Sequence, residues 1–149
     1  MRLAPQEIRT YFTTFSTANR RSVFQVHANA KLMIETLQSY RDKGKFAVHA
    51  FVVMPDHVHV LLTPAADISL EKALQFMKGG FSFRLKSKFD VWERGHFDRR
   101  IVDRNAYEAC VRYIHANPVE QRLVSEPHEY LFSSARDGVS LDPMPLWFY

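Results

Sequence analysis

An α+β fold, built as an antiparallel sheet with helices on one face, is what this chain predicts, and three observations carry it. Two runs rich in β-branched and aromatic residues, 46–54 and 57–63, are separated by only Pro55-Asp56, the spacing of a two-residue hairpin loop. Three other stretches repeat apolar residues at helical spacing. Along the 149 residues the elements then follow in the order β-α-β-β-α-β-α, with no internal repeat, over a length of about one domain.

Taken in order, TYFTTFST at Thr10–Thr17 is β-branched and aromatic and reads as a strand. From about Asn29 to Lys43, Ala30, Met33, Ile34, Leu37 and Tyr40 form a helical stripe, and Gly44 is a natural stop. The hairpin Phe46–Met54 and His57–Thr63 comes next. Ser69 is placed to cap a second helix whose stripe is Leu70, Ala73, Leu74, Met77 and Phe81; Gly79-Gly80 inside it signals a kink or the close approach of another backbone. A short strand is expected at Phe97–Val102. Asp103 or Asn105 then caps a third helix, with Tyr107, Cys110, Val111 and Ile114 on its apolar side, and Pro118 should end it near Asn117. The first six elements match the ferredoxin-like split βαβ, with the third helix as a C-terminal addition. The helix-free face of such a sheet is available for a site or for nucleic acid. The expectation is one domain over residues 1–149, with 137–149 as a tail whose last residues, LWFY, pack on the domain or on a second subunit.

Composition narrows the function classes. Twenty Lys and Arg against sixteen Asp and Glu give a net charge of +4, compatible with a polyanionic partner. The single cysteine, Cys110, excludes an internal disulfide framework and a multi-cysteine zinc site. No apolar run approaches the ~18 residues of a membrane span, and residues 1–12 lack the apolar core of a signal peptide, so a soluble, cytoplasmic protein with no membrane partner is expected. Between Lys78 and Arg104, basic residues including Lys78, Arg84, Lys86, Arg94, Arg99 and Arg100 interleave with Phe81, Phe83, Phe89, Trp92 and Phe97. That mixture suits a surface that tracks phosphates and stacks bases, and equally an amphipathic helix and strand with a solvated face.

Two patterns carry chemistry. In His57-Val58-His59 the strand's alternation puts both imidazoles on one face, roughly 7 Å apart along the strand, where they are able to hold one divalent ion. Asp56 is a normal turn residue that is also placed to hydrogen-bond a ligand imidazole. In the third helix Tyr113 and Asn117 are i and i+4 and share a side; Tyr113 falls toward the flank of the apolar stripe, whereas Tyr107 lies within it. Asn117 suits a cap before proline and a metal ligand alike. His115 and His49 read as structural. Two imidazoles and an amide oxygen suit Mg²⁺ or Mn²⁺ with positions left open for phosphate oxygens, and a tyrosine hydroxyl beside them becomes a usable nucleophile.

At these residues the chain resembles a known family. His57-Val58-His59 is similar to the His-hydrophobic-His motif of single-tyrosine HUH transposases. Segment 112–119, RYIHANPV, closely resembles the tyrosine helix of their REP-associated branch, and YFTTFST, RGHFDRRIVD and EYLFSSA extend the likeness over roughly residues 9–136. The resemblance implies that Tyr113 is the nucleophile, that His57, His59 and Asn117 complete the metal site, and that Mg²⁺ or Mn²⁺ is the cofactor. It further implies a bacterial enzyme, monomeric or homodimeric, that cleaves and rejoins single-stranded DNA carrying REP-like hairpins through a 5′-phosphotyrosine. Three other readings are an inactive single-strand-binding module, a rolling-circle-type nicking enzyme, and a small metallohydrolase that uses water and leaves no adduct.

Overall fold

The computed structural model describes residues 8–149; residues 1–7, on which part of the signal-peptide expectation rests, lie outside it. Strands β1 (Thr10–Ser16), β2 (Phe46–Met54), β3 (His57–Pro64) and β4 (Phe97–Ile101) form one antiparallel sheet in the order β2-β3-β1-β4. Helices α1 (His27–Asp42) and α2 (Leu70–Leu85) connect them, and α3 (Arg104–Glu120) follows. This is the ferredoxin-like arrangement that the element order implies.

Local chemistry explains most boundaries. Ser69 Oγ accepts a bond from the Lys72 amide and starts α2, and of the two candidate caps for α3 it is Asp103 whose carboxylate accepts from the Ala106 amide at 2.7 Å. Gly44, at φ +74°, carries the chain out of α1 in the left-handed region that favours glycine. The Pro55-Asp56 turn closes the β2–β3 hairpin and is pinned from outside: Thr17 donates through its amide and its hydroxyl to the Asp56 carbonyl, and the Phe24 amide donates to that of Pro55.

Side-chain alternation divides the interior into two cores. Val58, Val60 and Leu62 of β3 point toward α1 and α2, where they meet Phe15, Met33, Leu37, Met77 and Phe81. The other face of the sheet presents Phe12, Val52, Met54, Leu61 and Ile101 to Tyr107, Cys110 and Ile114 of α3. Each such large apolar side chain contributes roughly 1.5–3 kcal/mol when fully buried. The helix-free face expected from the first six elements is therefore covered: α3 lies on it, because its apolar stripe needs a sheet face and α1 and α2 already occupy the other.

Two further expectations are corrected. Helix α2 runs through Gly79-Gly80 without a kink. The close approach there is made by a side chain of α1, since a Cβ on Gly80 would lie 2.7 Å from Tyr40 Cε2. Helix α3 continues past Asn117 to Glu120 with Pro118 inside it. In the last turn proline forfeits only one amide bond, and Gln121 and Leu123 still close onto the carbonyls of Asn117 and Pro118.

The C-terminal segment covers the outer edge of β2. Ser134 exchanges bonds with the Phe51 backbone, the Phe132 carbonyl accepts from the Val53 amide, and Asp142 bonds Val48 through both its backbone and its carboxylate. The Asp142 carboxylate also takes two bonds from the Arg41 guanidinium. Of the LWFY end, Phe148 packs against Tyr107 in the second core, while Leu146, Trp147 and Tyr149 are exposed.

Candidate functional site

The site lies where β3, β1 and α3 meet. His57 and His59 leave β3 on the α3 side, as alternation requires, and their ring centroids are 4.7 Å apart, closer than the repeat along the strand because the rings turn toward each other. Each ring is held by its Nδ1. His57 Nδ1 donates to Asp56 Oδ1 at 2.7 Å, and His59 Nδ1 is 2.7 Å from Thr14 Oγ1 on the cross-strand residue of β1. That leaves the Nε2 atom of each ring clear of the bond that holds it, as in a histidine oriented by an outer carboxylate or hydroxyl.

His59 is buried, and its Nε2 has no hydrogen-bond partner. Burial, reinforced by the neighbouring His57, pushes its pKa down to about 3, so the ring is neutral and its lone pair free near neutrality. Asn117 is likewise buried, with its Oδ1 unpaired. Buried polar atoms without partners are uncommon, and two on adjoining elements, both electron-pair donors, are what a site shaped for a cation leaves behind. No cluster of three His, Cys, Asp or Glu side chains is found among the described residues. The donors that would fit a cation here are two imidazoles and an amide oxygen.

Helix α3 brings Tyr113 over the same corner. Its ring stands edge-on to His59 at 5.5 Å and to Phe12 at 5.8 Å, and it is 54% exposed, so the hydroxyl is accessible. Asn117 follows about one turn later on the same side of the helix, about 6 Å along the axis. Just past the helix end, Gln121 and Leu123 line a cavity of about 280 Å³ with His57, Asp56 and Arg20. The C-terminal end of α3 thus meets the histidine pair at both Tyr113 and Gln121, about two turns apart. Tyr107 is buried in the second core, and burial raises its pKa, leaving it unsuited to attack.

Asp56 is shared: Arg20 Nε donates to one carboxylate oxygen at 2.9 Å and His57 to the other. Burial by itself would raise its pKa, but the two donors hold it below the ordinary carboxylate range. His115 donates to or accepts from Ser134 Oγ at 2.8 Å, tying α3 to the segment along β2. His49 occupies a bulge in β2 and bonds Thr63 Oγ1 and the Asp142 carbonyl. Both are structural.

The basic residues singled out from the sequence do not share one surface. Lys78 is half-buried and its ammonium donates to the carbonyls of Glu93 and Gly95, holding the loop before β4. Arg84 donates to Ser39 Oγ and lies over Tyr40, across the sheet from Tyr113. Lys86 is the left-handed cap residue of α2, and Arg94 lines a surface groove with Lys88 and Phe89. On β4 the strand's alternation separates Arg100 from Arg99, and only Arg99 joins the site, its guanidinium 5.8 Å from the centroid of Phe12. Trp92 packs on Phe15, Phe24 and Phe81 as part of the first core. Three residues at the site escaped the sequence reading. Phe12 touches His59, Phe97 and Tyr113; Thr14 holds His59; Arg20 holds Asp56. The alternation of TYFTTFST placed Phe12 and Thr14 on one face, but which face needed the pairing with β3.

A ferredoxin-like sheet bearing a His-x-His pair, crossed by a helix with an accessible tyrosine, defines a class of proteins. The chain belongs to the family described as IS200-like transposases, whose family model matches residues 9–117, and is by that membership a DNA transposase. It is similar to a REP-associated tyrosine transposase solved bound to a REP hairpin, at 25% identity and a TM-score of 0.75, over 85% of this chain and 76% of that one. A protein from Deinococcus radiodurans described as a transposase shares the fold, at 21% identity and a TM-score of 0.53, over 72% of this chain and 88% of its own. No curated protein matches significantly.

Proposed function

We propose that this transposase is a metal-dependent single-strand DNA endonuclease and strand transferase that works through Tyr113. The observation that carries the reading is the edge-on contact of Tyr113 with His59, beside the two unpaired donors His59 Nε2 and Asn117 Oδ1. His57, His59 and Asn117 would hold the ion, with Asp56 and Thr14 orienting the two imidazoles. When bound there, Mg²⁺ or Mn²⁺ supplies Lewis-acid polarisation of a phosphoryl group.

In this reading the Tyr113 phenol oxygen forms a bond to phosphorus while the bond from phosphorus to the 3′-oxygen breaks. The phenol proton passes to water, and the departing 3′-oxygen takes one up. The product is a 5′-phosphotyrosine and a free 3′-hydroxyl, and attack by a 3′-hydroxyl on the phosphotyrosine reverses the step. One ester replaces another, so rejoining needs no external energy source.

The substrate we propose is single-stranded DNA with REP-like hairpins, supported by the hairpin bound to the similar transposase. One chain carries both the histidine pair and the tyrosine, so a monomer holds the whole constellation and a homodimer would hold two. No helix among the described residues is long and apolar enough to cross a membrane; the proposed place of action is the bacterial cytoplasm, at the nucleoid.

The test is denaturing gel electrophoresis of the protein with labelled hairpin DNA from beside its own gene, with Mn²⁺, with EDTA, and with Tyr113→Phe. A metal-dependent, SDS-resistant adduct lost in the variant is the expected result. Cleavage without an adduct would replace the tyrosine by water, and binding without cleavage would leave a DNA-binding module.

A further inference from the structure

On the face of β4 that looks toward α3, two residues touch the buried Phe12 and lie outside the core. Phe97 and Arg99 alternate onto this face beside Ile101, which is buried, and pair across the sheet with Thr14 and Phe12. Phe97 is 55% exposed, and its ring meets Phe12 edge-on at 6.1 Å. A large aromatic ring left open on an edge strand costs apolar exposure that charged residues normally avoid there. The Arg99 guanidinium lies over the other aromatic, Phe12, and no hydrogen bond or ion pair engages it among the described residues. Phe12 itself is buried and touches both His59 and Tyr113. One buried ring therefore joins the proposed nucleophile, a proposed metal ligand, an open aromatic face and an uncommitted cation.

We propose that Phe97 and Arg99 form a nucleotide-binding wall for the strand presented to Tyr113, with the Phe97 ring stacking one unpaired base and the Arg99 guanidinium holding a neighbouring phosphate. The inference rests on the functional reading above and deepens it by naming what positions the single strand. Stacking on an open ring is available to any unpaired base and closed to a base inside a duplex, so the wall selects single-stranded DNA next to the hairpin, not the hairpin stem. Arg99 is suited to the phosphate because its fork of donors has no competing carboxylate. The nearest acid in sequence, Asp98, points to the opposite face and pairs with His96.

The experiment measures affinity by fluorescence anisotropy in a Tyr113→Phe background, so that no adduct forms. The probes are the hairpin flanking the gene, with a single-stranded extension and without it. Phe97→Ala and Arg99→Gln are each expected to weaken binding of the extended probe about tenfold, within the range of one lost stacked base, and to leave the bare hairpin within about twofold. Phe97→Trp should restore binding, and Arg99→Gln should reduce the salt slope by about one. Equal loss on both probes, or retention of full affinity for the extended one, overturns the proposal. If the Tyr113 protein forms no adduct while the extension-specific loss persists, the tyrosine reading fails and the binding wall stands.

Discussion

His59 and Tyr113 meet edge-on at 5.5 Å, although 53 residues separate them in the chain and neither element directs the other in sequence. The contact exists because β3 turns His59 to the face that α3 covers, and because Tyr113 lies at the flank of α3, clear of the buried stripe of Tyr107, Cys110 and Ile114. A ring at the flank can be accessible and still be held against a rigid strand. This combination lets an exposed hydroxyl keep a defined position.

Tyr113→Phe should abolish the covalent DNA adduct while hairpin affinity stays within about twofold. The ring is 54% exposed and its hydroxyl has no hydrogen-bond partner among the described residues, so stability should change by no more than about 0.5 kcal/mol. A urea titration of both proteins beside the adduct assay checks the two halves separately.

Thr14→Val removes the hydroxyl that holds His59 Nδ1 and leaves the strand its β-branched shape. Mn²⁺ affinity should fall about 10- to 100-fold, as for other partners that orient metal-bound histidines. Titration followed by the loss of the free Mn²⁺ electron-paramagnetic signal reads this without any catalysis. Unchanged affinity would remove Thr14 from the site.

Asp142→Asn tests the strap along β2. Burial opposes ionisation of Asp142, but Arg41, the Val48 amide and the charges nearby hold its pKa below the ordinary carboxylate value. A carboxylate with a depressed folded pKa contributes stability that is present above its unfolded pKa, near 3.9, and lost as pH falls through the folded value. The variant should therefore be less stable than the parent by about 2 kcal/mol at pH 7, a figure typical of hydrogen bonds to a charged group. The gap should close in acid below pH ~4, as urea midpoints measured between pH 3 and 7 would record.

Gly79→Ala and Gly80→Ala should differ in sign. A Cβ on Gly79 meets nothing within 4 Å, so alanine gains helix propensity of up to about 1 kcal/mol. On Gly80 it would lie 2.7 Å from Tyr40 Cε2 and 3.2 Å from Thr36 Cγ2, and Tyr40 is itself stacked on Phe76. Displacing that ring should cost about 1–3 kcal/mol. Equilibrium unfolding of the two variants side by side decides it.

Much of the site was legible because its signals are local. Alternation in His57-Val58-His59 put the imidazoles together, the i, i+4 spacing put Tyr113 and Asn117 on one side, and the Ser69 and Asp103 caps announced their helices. What escaped depended on pairing between distant segments. Thr14 and Phe12 became site residues only through the register of β1 against β3 and β4. The basic run 78–104 suited one surface or a solvated helix and strand alike; it crosses a helix, a loop and a strand whose faces diverge, which sends Arg84 to one side of the sheet and Arg99 to the other.

The sequence by itself therefore determined the α+β order, the hairpin, and the candidate residues of the site, since all of these follow from periodicity and side-chain chemistry within a few residues. Only the tertiary structure decided that α3 covers the second face, that two donors are left buried without partners, and which aromatic and basic side chains share the Tyr113 side of the sheet. Those outcomes depend on which apolar stripe finds which sheet face, a competition among segments far apart in the chain.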